Sequence, residues 1–248
     1  MEGFRLEILM ATYNGATYLR EQLDSILNQS YTHWHLTVSD DVSTDETVRI
    51  LDEYAHRYPE QISRVDFGQR FGSARAHFMR LCANCDADVL ALCDQDDVWF
   101  PDKLDKMIAL LRENMRVYGN ETPLLVFSDQ IPVDAELNPL SDSLVRMQAL
   151  PVTELDWRAL IFQNVVTGGA CMFNRALVKL ACADCDADKI VMHDWWLGLT
   201  AARFGRIVYL NAPTGYYRQH TQNSVGAKNV SSPAYVIGRL THISSVYG

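Results

Sequence analysis

The strongest constraint in this sequence is a repeated unit: a short, almost wholly apolar run that ends abruptly in polar residues and is followed by an amphipathic stripe. Glu7–Tyr13 (EILMATY) runs into Asn14-Gly15, His35–Ser39 (HLTVS) into Asp40-Asp41, and Asp88–Cys93 (DVLALC) into Asp94-Gln95-Asp96-Asp97. EILMATY and DVLALC, short and largely apolar, read as buried strands of a parallel sheet, and HLTVS as a second strand between them in the chain. Between them, Leu19, Leu23, Ile26 and Leu27 fall on one face of a helix. Ser43, Thr44 and Asp45 are candidate caps for a helix carrying Val48, Leu51 and Tyr54. Ser63–Phe67 reads as a weaker strand and Ala74–Leu81 as a helix; Pro101 opens another with Leu104, Met107, Ile108 and Leu111 on one face, and Leu124–Phe127 is a further buried strand. This βαβαβ order predicts an α/β fold with a mostly parallel central sheet and helices on both faces. Ligands of such sheets bind beyond the carboxyl ends of the strands, which is where three polar clusters lie here.

After residue 130 the pattern loosens. Ile131–Leu150 is turn-rich, with Pro132, Pro139 and Pro151 in or beside it. A helix is expected around Leu155–Phe162, a strand at Gly169–Phe173 after Gly168-Gly169, a helical stretch from His193 to about Arg203, and a last strand at Arg206–Leu210. A polar tail, Tyr217–Val230, leads to a short helix near Tyr235–Leu240. No segment reads as a linker, so residues 1–248 are expected to form one domain with two lobes. The N-terminus lacks a basic region and a long apolar run, and no stretch approaches the roughly 18 apolar residues of a bilayer-spanning helix. The expectation is a cytoplasmic protein, soluble or peripheral.

Charge narrows the ligand. Lys+Arg number 22 against Asp+Glu 31, a net charge of −9. That disfavours a nucleic-acid polymer and general binding to anionic membranes, so a phosphate ligand would need local neutralisation, first of all by a divalent metal. The three carboxylates of Asp94-Gln95-Asp96-Asp97 repel unless a cation sits among them or one takes a proton. Hard oxygen ligands select Mg²⁺ or Mn²⁺. The other reading is an acidic start for the helix at Pro101, which one carboxylate would satisfy. Asp40 or Asp41 can accept the imide N–H of a uracil or thymine, or merely cap a turn. Thr12, Tyr13 and Asn14 supply a hydroxyl, a flat ring and an amide suited to a nucleoside, although Asn-Gly is also a plain turn. In His193-Asp194-Trp195-Trp196, Asp194 can serve as general base toward an acceptor hydroxyl with indole faces against a sugar, or as a helix cap beside two core tryptophans. Arg218 can pair with a diphosphate, and His220 can ligate a metal or simply sit at the surface.

Six cysteines include two C-x-x-C pairs in near-copies, CANCDAD at 82–88 and CADCDAD at 182–188. The spacing suits zinc ligands, but the pairs are a hundred positions apart and neither has a histidine at finger spacing. Two helix-to-strand connections with reduced thiols are the other reading.

Taken in order, T-Y-N-G, S-D-D-x-S-T-D, C-D-Q-D-D-x-W, T-G-G, H-D-W-W and Y-R-Q-H resemble the family 2 glycosyltransferases, from about Leu6 to Asn223. The forms CDQDDVW, HDWW and YRQH look like the bacterial rhamnosyltransferase-like branch, which builds surface polysaccharides. The resemblance implies a GT-A fold, with a nucleotide-sugar half over about 1–130, an acceptor half over about 131–230 and a C-terminal helix over 231–248. It implies donor contacts from Thr12, Tyr13, Asn14, Asp40, Asp41, Asp94, Gln95 and Arg218, and Mn²⁺ or Mg²⁺ on Asp96, Asp94 and His220. Asp194 becomes the catalytic base of an inverting transfer, with Trp195, Trp196, Gly168 and Gly169 on the acceptor side. Loops near Gln130–Leu150 and Gln219–Lys228 would form the acceptor wall and lid. The partners implied are a nucleotide-sugar donor and a glycan or lipid-linked glycan acceptor, met at the inner face of the membrane. The best-matching donor is dTDP-rhamnose; a UDP-hexose or hexosamine, or a non-catalytic nucleotide-sugar-binding subunit, is the alternative. A nucleotidyltransferase would need a glycine-rich basic phosphate loop, and TYNGATYLR lacks one. The family pattern D-D-G-S is broken by Val42, whose β-branch resists positive φ, so a different turn is expected there. Relatives often run on past Gly248, so truncation at the C-terminus is expected.

Overall fold

The computed structural model describes residues 4–220; the expected tail beyond His220, the rest of the lid segment and the helix near Tyr235–Leu240 lie outside the described residues. In chain order the elements are β1 (Leu6–Thr12), α1 (Leu19–Leu27), β2 (Trp34–Asp40), α2 (Thr47–Arg57), β3 (Ile62–Arg64), α3 (Ala74–Asn84), β4 (Val89–Cys93), β5 (Val98–Trp99) and α4 (Lys103–Tyr118). There follow β6 (Leu124–Val133), α5 (Leu144–Met147), α6 (Trp157–Leu160), β7 (Cys171–Asn174), α7 (Arg175–Cys182), α8 (His193–Phe204) and β8 (Arg206–Arg218). Short 3₁₀ turns at Gly168–Ala170 and Ala187–Lys189 precede β7 and α8.

All eight strands join one sheet in the order β3-β2-β1-β4-β7-β6-β8-β5. β3, β2, β1 and β4 run parallel, β7 is antiparallel to both β4 and β6, and β8 is parallel to β6. Because side chains alternate along a strand, β1, β4 and β6 each feed two cores. Ile8, Met10, Ala91 and Cys93 face α1, α2 and α4, while Leu9, Leu90 and Leu92 face α3, α7 and α8. Leu124/Val126 against Leu125/Phe127 repeats the split. That double burial is why β4 and the start of β6 carry no polar residues, whereas β2, with His35 and Thr37 on its half-buried face, does. Among the described residues no helix is long and apolar enough to cross a membrane.

The topology brings the polar ends to one rim. Thr12 stands in register with Asp40, and Met10 with Cys93, so the residues after β1, β2 and β4 emerge side by side. β7 starts where its neighbour β4 ends, which sets Gly168–Ala170 beside Asp94. The parallel β6–β8 pair carries Arg218 to the same edge.

Three features depart from expectation. β6 and β8 extend well past Phe127 and Leu210, because polar residues that look like loop are bonded across the strands. Ser128 Oγ lies 2.6 Å from Thr214 Oγ1, Asp129 accepts from Ser143 Oγ and Val145 N, and Gln130 Nε2 donates to Asp97. α7 forms where no helix was expected, started by the Asn174 side chain accepting from Leu177 N. Finally, Val42 does not avoid the tight turn: it takes φ 63°, the left-handed region.

An exposed β-branched residue at that φ carries strain of about 1–2 kcal/mol. Val42, 58% exposed, buries too little to offset it. Val42→Gly is therefore expected to raise stability by about 1 kcal/mol after the added unfolded-state entropy of glycine. Urea denaturation should give a higher midpoint at unchanged slope; an equal or lower midpoint refutes the strain.

Candidate functional site

A cavity of about 540 Å³ opens at this rim. That volume lies within the range of small-molecule sites. Its wall on the β1–β2 side contains Thr12, Tyr13, Asp41, Arg70, Gly72 and His77. Asp94, Gln95 and Asp96 line its middle, and Asn164, Thr167, Gly168, Met192, His193, Asp194 and Trp195 its far side.

At the β1–β2 end the two aspartates do different things. Asp40 is occupied internally: Oδ1 accepts from Thr12 Oγ1 at 2.8 Å and Ser43 Oγ at 2.6 Å, and Oδ2 from Ser43 N at 2.8 Å. Asp41 lines the cavity while accepting from Phe71 N and Gly72 N at 2.5 and 2.8 Å, which shapes the segment carrying Arg70. Arg70 lies over the Tyr13 ring, 4.9 Å from its centroid. Asn14 is spent on the turn, with φ 48° and its Oδ1 accepting from Thr44 N.

The acidic loop after β4 is held from below and behind. Burial, then Asp96, then Asp194 push the Asp94 carboxyl up to about 7, while the Gly169 N–H acts against the shift. Asp97, also buried, is raised well above the usual carboxylate range by burial and then by Asp96 and Asp94. A Cβ on Gly169 would lie 2.9 Å from Asp94 Oδ2 and 3.0 Å from Asp97 Oδ2, so glycine is the residue that fits between the two carboxyls. Lys103 is buried, donates to Gly169 O at 2.5 Å and rests on the Trp99 ring. Burial lowers its ammonium to about 8 despite the neighbouring acids.

At the far end Asp194 sits in the first turn of α8, with Met192 rather than Asp194 at the cap position. Its carboxyl is pushed up to about 6 by burial, against hydrogen bonds from the N–H groups of Trp195 and Gly168 and the Asn164 side chain. His193 stacks on Phe78 with centroids 4.4 Å apart, and burial drives its ring down to about 3. Neither of its ring nitrogens has a hydrogen-bond partner among the described residues.

Comparison with known proteins identifies the scaffold. Residues 7–122 match the model of glycosyl transferase family 2. The dTDP-rhamnosyl transferase RfbG of Shigella flexneri is 30% identical over 91% of this chain and 76% of its own length. The chain belongs to family 2. Other matches span less of both chains: the one to the putative glycosyltransferase EpsE of Bacillus subtilis is 33% identical over 51% of this chain and 45% of that protein. Among solved structures, the S. aureus TarS 1-349 complex with UDP-GlcNAc superposes with a TM-score of 0.65 at 18% identity, over 96% of this chain and 66% of TarS 1-349. The mannosyltransferase PcManGT of Pyrobaculum calidifontis, bound to GDP-Man and Mn²⁺, gives a TM-score of 0.65 at 18% identity, over 96% of this chain and 60% of its own. These likenesses show the GT-A fold.

Against the expectations for such a family 2 chain, Thr12, Tyr13, Asp41, Asp94, Gln95, Asp96, Gly168, Asp194 and Trp195 share one cavity. Six expected positions do not line it. Arg218 is a brace rather than a diphosphate ligand: its side chain is 2% exposed, with Nε donating to Asp96 O at 2.9 Å and its other nitrogens to Ala135 O and Glu21 Oε2 at 2.5 Å. Its guanidinium lies over Tyr18. Trp196 packs into the core, and its Nε1 donates to Ala181 O. Asp40 and Asn14 serve the turns described above. Gly169 backs the acidic loop. Among the described residues no three His, Cys, Asp or Glu side chains are arranged to hold a metal ion. His220 Nε2 instead lies 2.8 Å from Asp96 Oδ2. The donors still suit a hard divalent cation in kind, since crowded carboxylates beside an imidazole favour added positive charge. The C-x-x-C cysteines are free thiols at the ends of α3 and α7, shifted toward the protonated form by burial.

Sequence reasoning missed Arg70, His77, Asn164, His193 and Lys103. A lone basic or imidazole side chain within a helical or loop stretch carries no spacing signal; the Lys103 position in P-D-K-L reads as an ordinary first helical turn.

Removing the buried ammonium should expose the carboxylate repulsion. Lys103→Met is expected to cost roughly 1–3 kcal/mol at neutral pH, because the buried Gly169 carbonyl loses its donor and the acids lose a buried cation. The loss should be smaller at pH 5, where the Asp94 carboxyl, pushed up to about 7, is protonated and needs no counter-charge. Equal losses in chemical denaturation at pH 5 and pH 7.5 would contradict this role.

Proposed function

We propose that this chain is an inverting glycosyltransferase that moves a sugar from a nucleoside diphosphate to a hydroxyl of a growing surface polysaccharide or lipid-linked glycan. The observation that carries this reading is the single cavity bounded by Tyr13 and Asp41 at one end and by Asp194 at the other, with the acidic loop between. Tyr13, Arg70 and Asp41 would take the nucleoside end, with Arg70 as the permanent cation of the lining among the described residues. The Asn164–Gly168 segment, Trp195 and Asp194 would face the acceptor. A hydroxyl placed against Asp194 gives up its proton as the oxygen attacks the anomeric carbon from the face opposite the diphosphate. Gly168 N–H, Trp195 N–H and the Asn164 side chain hold that carboxylate in its accepting orientation. Asp96, Asp94 and His220 would hold Mn²⁺ or Mg²⁺, which when bound supplies positive charge to the departing diphosphate.

Rhamnose from dTDP-rhamnose is the donor this reading favours, supported by the likeness to RfbG over 91% of the chain. A lipid-linked acceptor would bring the protein to the inner membrane face as a peripheral component. In a thermal-shift panel with Mn²⁺, dTDP-rhamnose should stabilise the protein more than UDP-GlcNAc, UDP-glucose or GDP-mannose, because a ligand of the folded state raises stability with its affinity. A preference for UDP-GlcNAc would redirect the assignment to hexosamine transfer, and binding of donor without its turnover in Mn²⁺ would favour a non-catalytic subunit.

Asp194→Asn should lower kcat by about 10²–10⁴-fold, the usual span for a general base, with dTDP affinity nearly unchanged. Since the base must be deprotonated and its carboxyl is raised to about 6, wild-type kcat/KM should fall as pH drops below about 6 and level off above it. Wild-type turnover by Asp194→Asn, or a flat acid limb down to pH 5, would remove Asp194 from this role.

A further inference from the structure

β1 and β4 stop pairing at Met10 and Cys93, and beyond that register the two chains diverge toward the cavity. The gap is closed by one side chain. Gln95 Oε1 accepts from Tyr13 N at 2.9 Å, and Gln95 Nε2 donates to Tyr13 O at 3.0 Å. An amide side chain thus satisfies both backbone groups of Tyr13, as a strand neighbour would. The neighbouring glycine is shaped to it: a Cβ on Gly15 would stand 2.3 Å from Gln95 Oε1, 2.4 Å from its amide carbon and 2.9 Å from Nε2. Gly15 has no left-handed φ to explain it. Its lack of a side chain answers to the Gln95 amide.

We propose that Gln95 is a positioning residue that interlocks the Tyr13 loop with the acidic loop, and that Gly15 is glycine so that this interlock can close. Gln95 acts through Tyr13: it sets where the Tyr13 ring and its Arg70 partner stand relative to Asp94 and Asp96, and so matches the spacing of a nucleoside to that of its diphosphate. This rests on reading the cavity as a nucleotide-sugar site. The amide is the far end of a flexible side chain, so an added methyl at Gly15 expels it without displacing backbone. Gly15→Ala and Gln95→Ala should therefore break the same contact.

The test is a double-mutant cycle read by calorimetric titration of dTDP and UDP in Mn²⁺, alongside donor KM and kcat. Gln95→Ala and Gly15→Ala should each weaken the preferred nucleotide about tenfold, as expected for a small misplacement of a binding loop, and raise donor KM more than they lower kcat. The double variant should bind no worse than Gln95→Ala, because the methyl has nothing left to expel. Melting temperatures identify a variant that has merely failed to fold, and the double variant then reports in its place, since it lacks the clash. Additive losses, or wild-type binding by Gln95→Ala, overturn the interlock. If the wild-type protein binds neither dTDP nor UDP, the nucleotide-sugar reading fails instead.

Discussion

Four carboxyls, Asp94, Asp96, Asp97 and Asp194, are drawn to one rim of the sheet, and the electrostatic cost of keeping them there shapes much of what surrounds them. An isolated buried carboxylate costs several kcal/mol. Here the burden is spread over fixed partners. Lys103 reaches up from the start of α4 to the carbonyl behind the acids, Arg218 grips Asp97 Oδ1 through its backbone N–H and Asp96 O through Nε, and Gly169 yields room for two carboxyl oxygens. Burial first, and then the repulsion between neighbours, raises the Asp94 and Asp97 carboxyls. Such stored charge is useful only to a ligand that brings positive charge or a proton to it.

The scaffold tolerates this because its rigidity comes from elsewhere. Two apolar layers, one on each face of the sheet, hold the strand ends in fixed register, and the antiparallel β7 inserted between β4 and β6 brings the Gly168–Ala170 turn to the rim. Chemistry is then built on the connections. Likeness to TarS and PcManGT at 18% identity with TM-scores of 0.65 fits that division, since packing preserves the sheet while the loops are free to change.

Legibility followed physical signal. β1, β2, β4, α1 and α4 could be read because each carries its own periodicity, and Asp94 and Asp194 stood out because acids sit beside an apolar strand end or a helix start. The far halves of β6 and β8 could not be read. Their polar residues are satisfied by side chains far along the chain, such as Ser128 by Thr214 and Gln130 by Asp97, so no local pattern marks them as strand. α7 was missed because its start depends on an Asn174 cap that also binds Leu124 N, a contact made only in the folded chain. Arg218 looked like a ligand group for the opposite reason: a guanidinium near an expected phosphate is chemically apt, and only packing reveals that it is enclosed.

From residue order alone came the α/β architecture, the convergence of polar clusters at the carboxyl ends of the strands and the family, because short-range periodicity and motif order are properties of the chain itself. Tertiary structure decided which polar groups point into the cavity and which hold it in shape. Asp41 rather than Asp40, Trp195 rather than Trp196, and a brace rather than a ligand at Arg218 each depend on a side chain's direction and on which partner reaches it first. Both are set by strand register and helix packing over separations of up to 197 residues, as between Glu21 and Arg218.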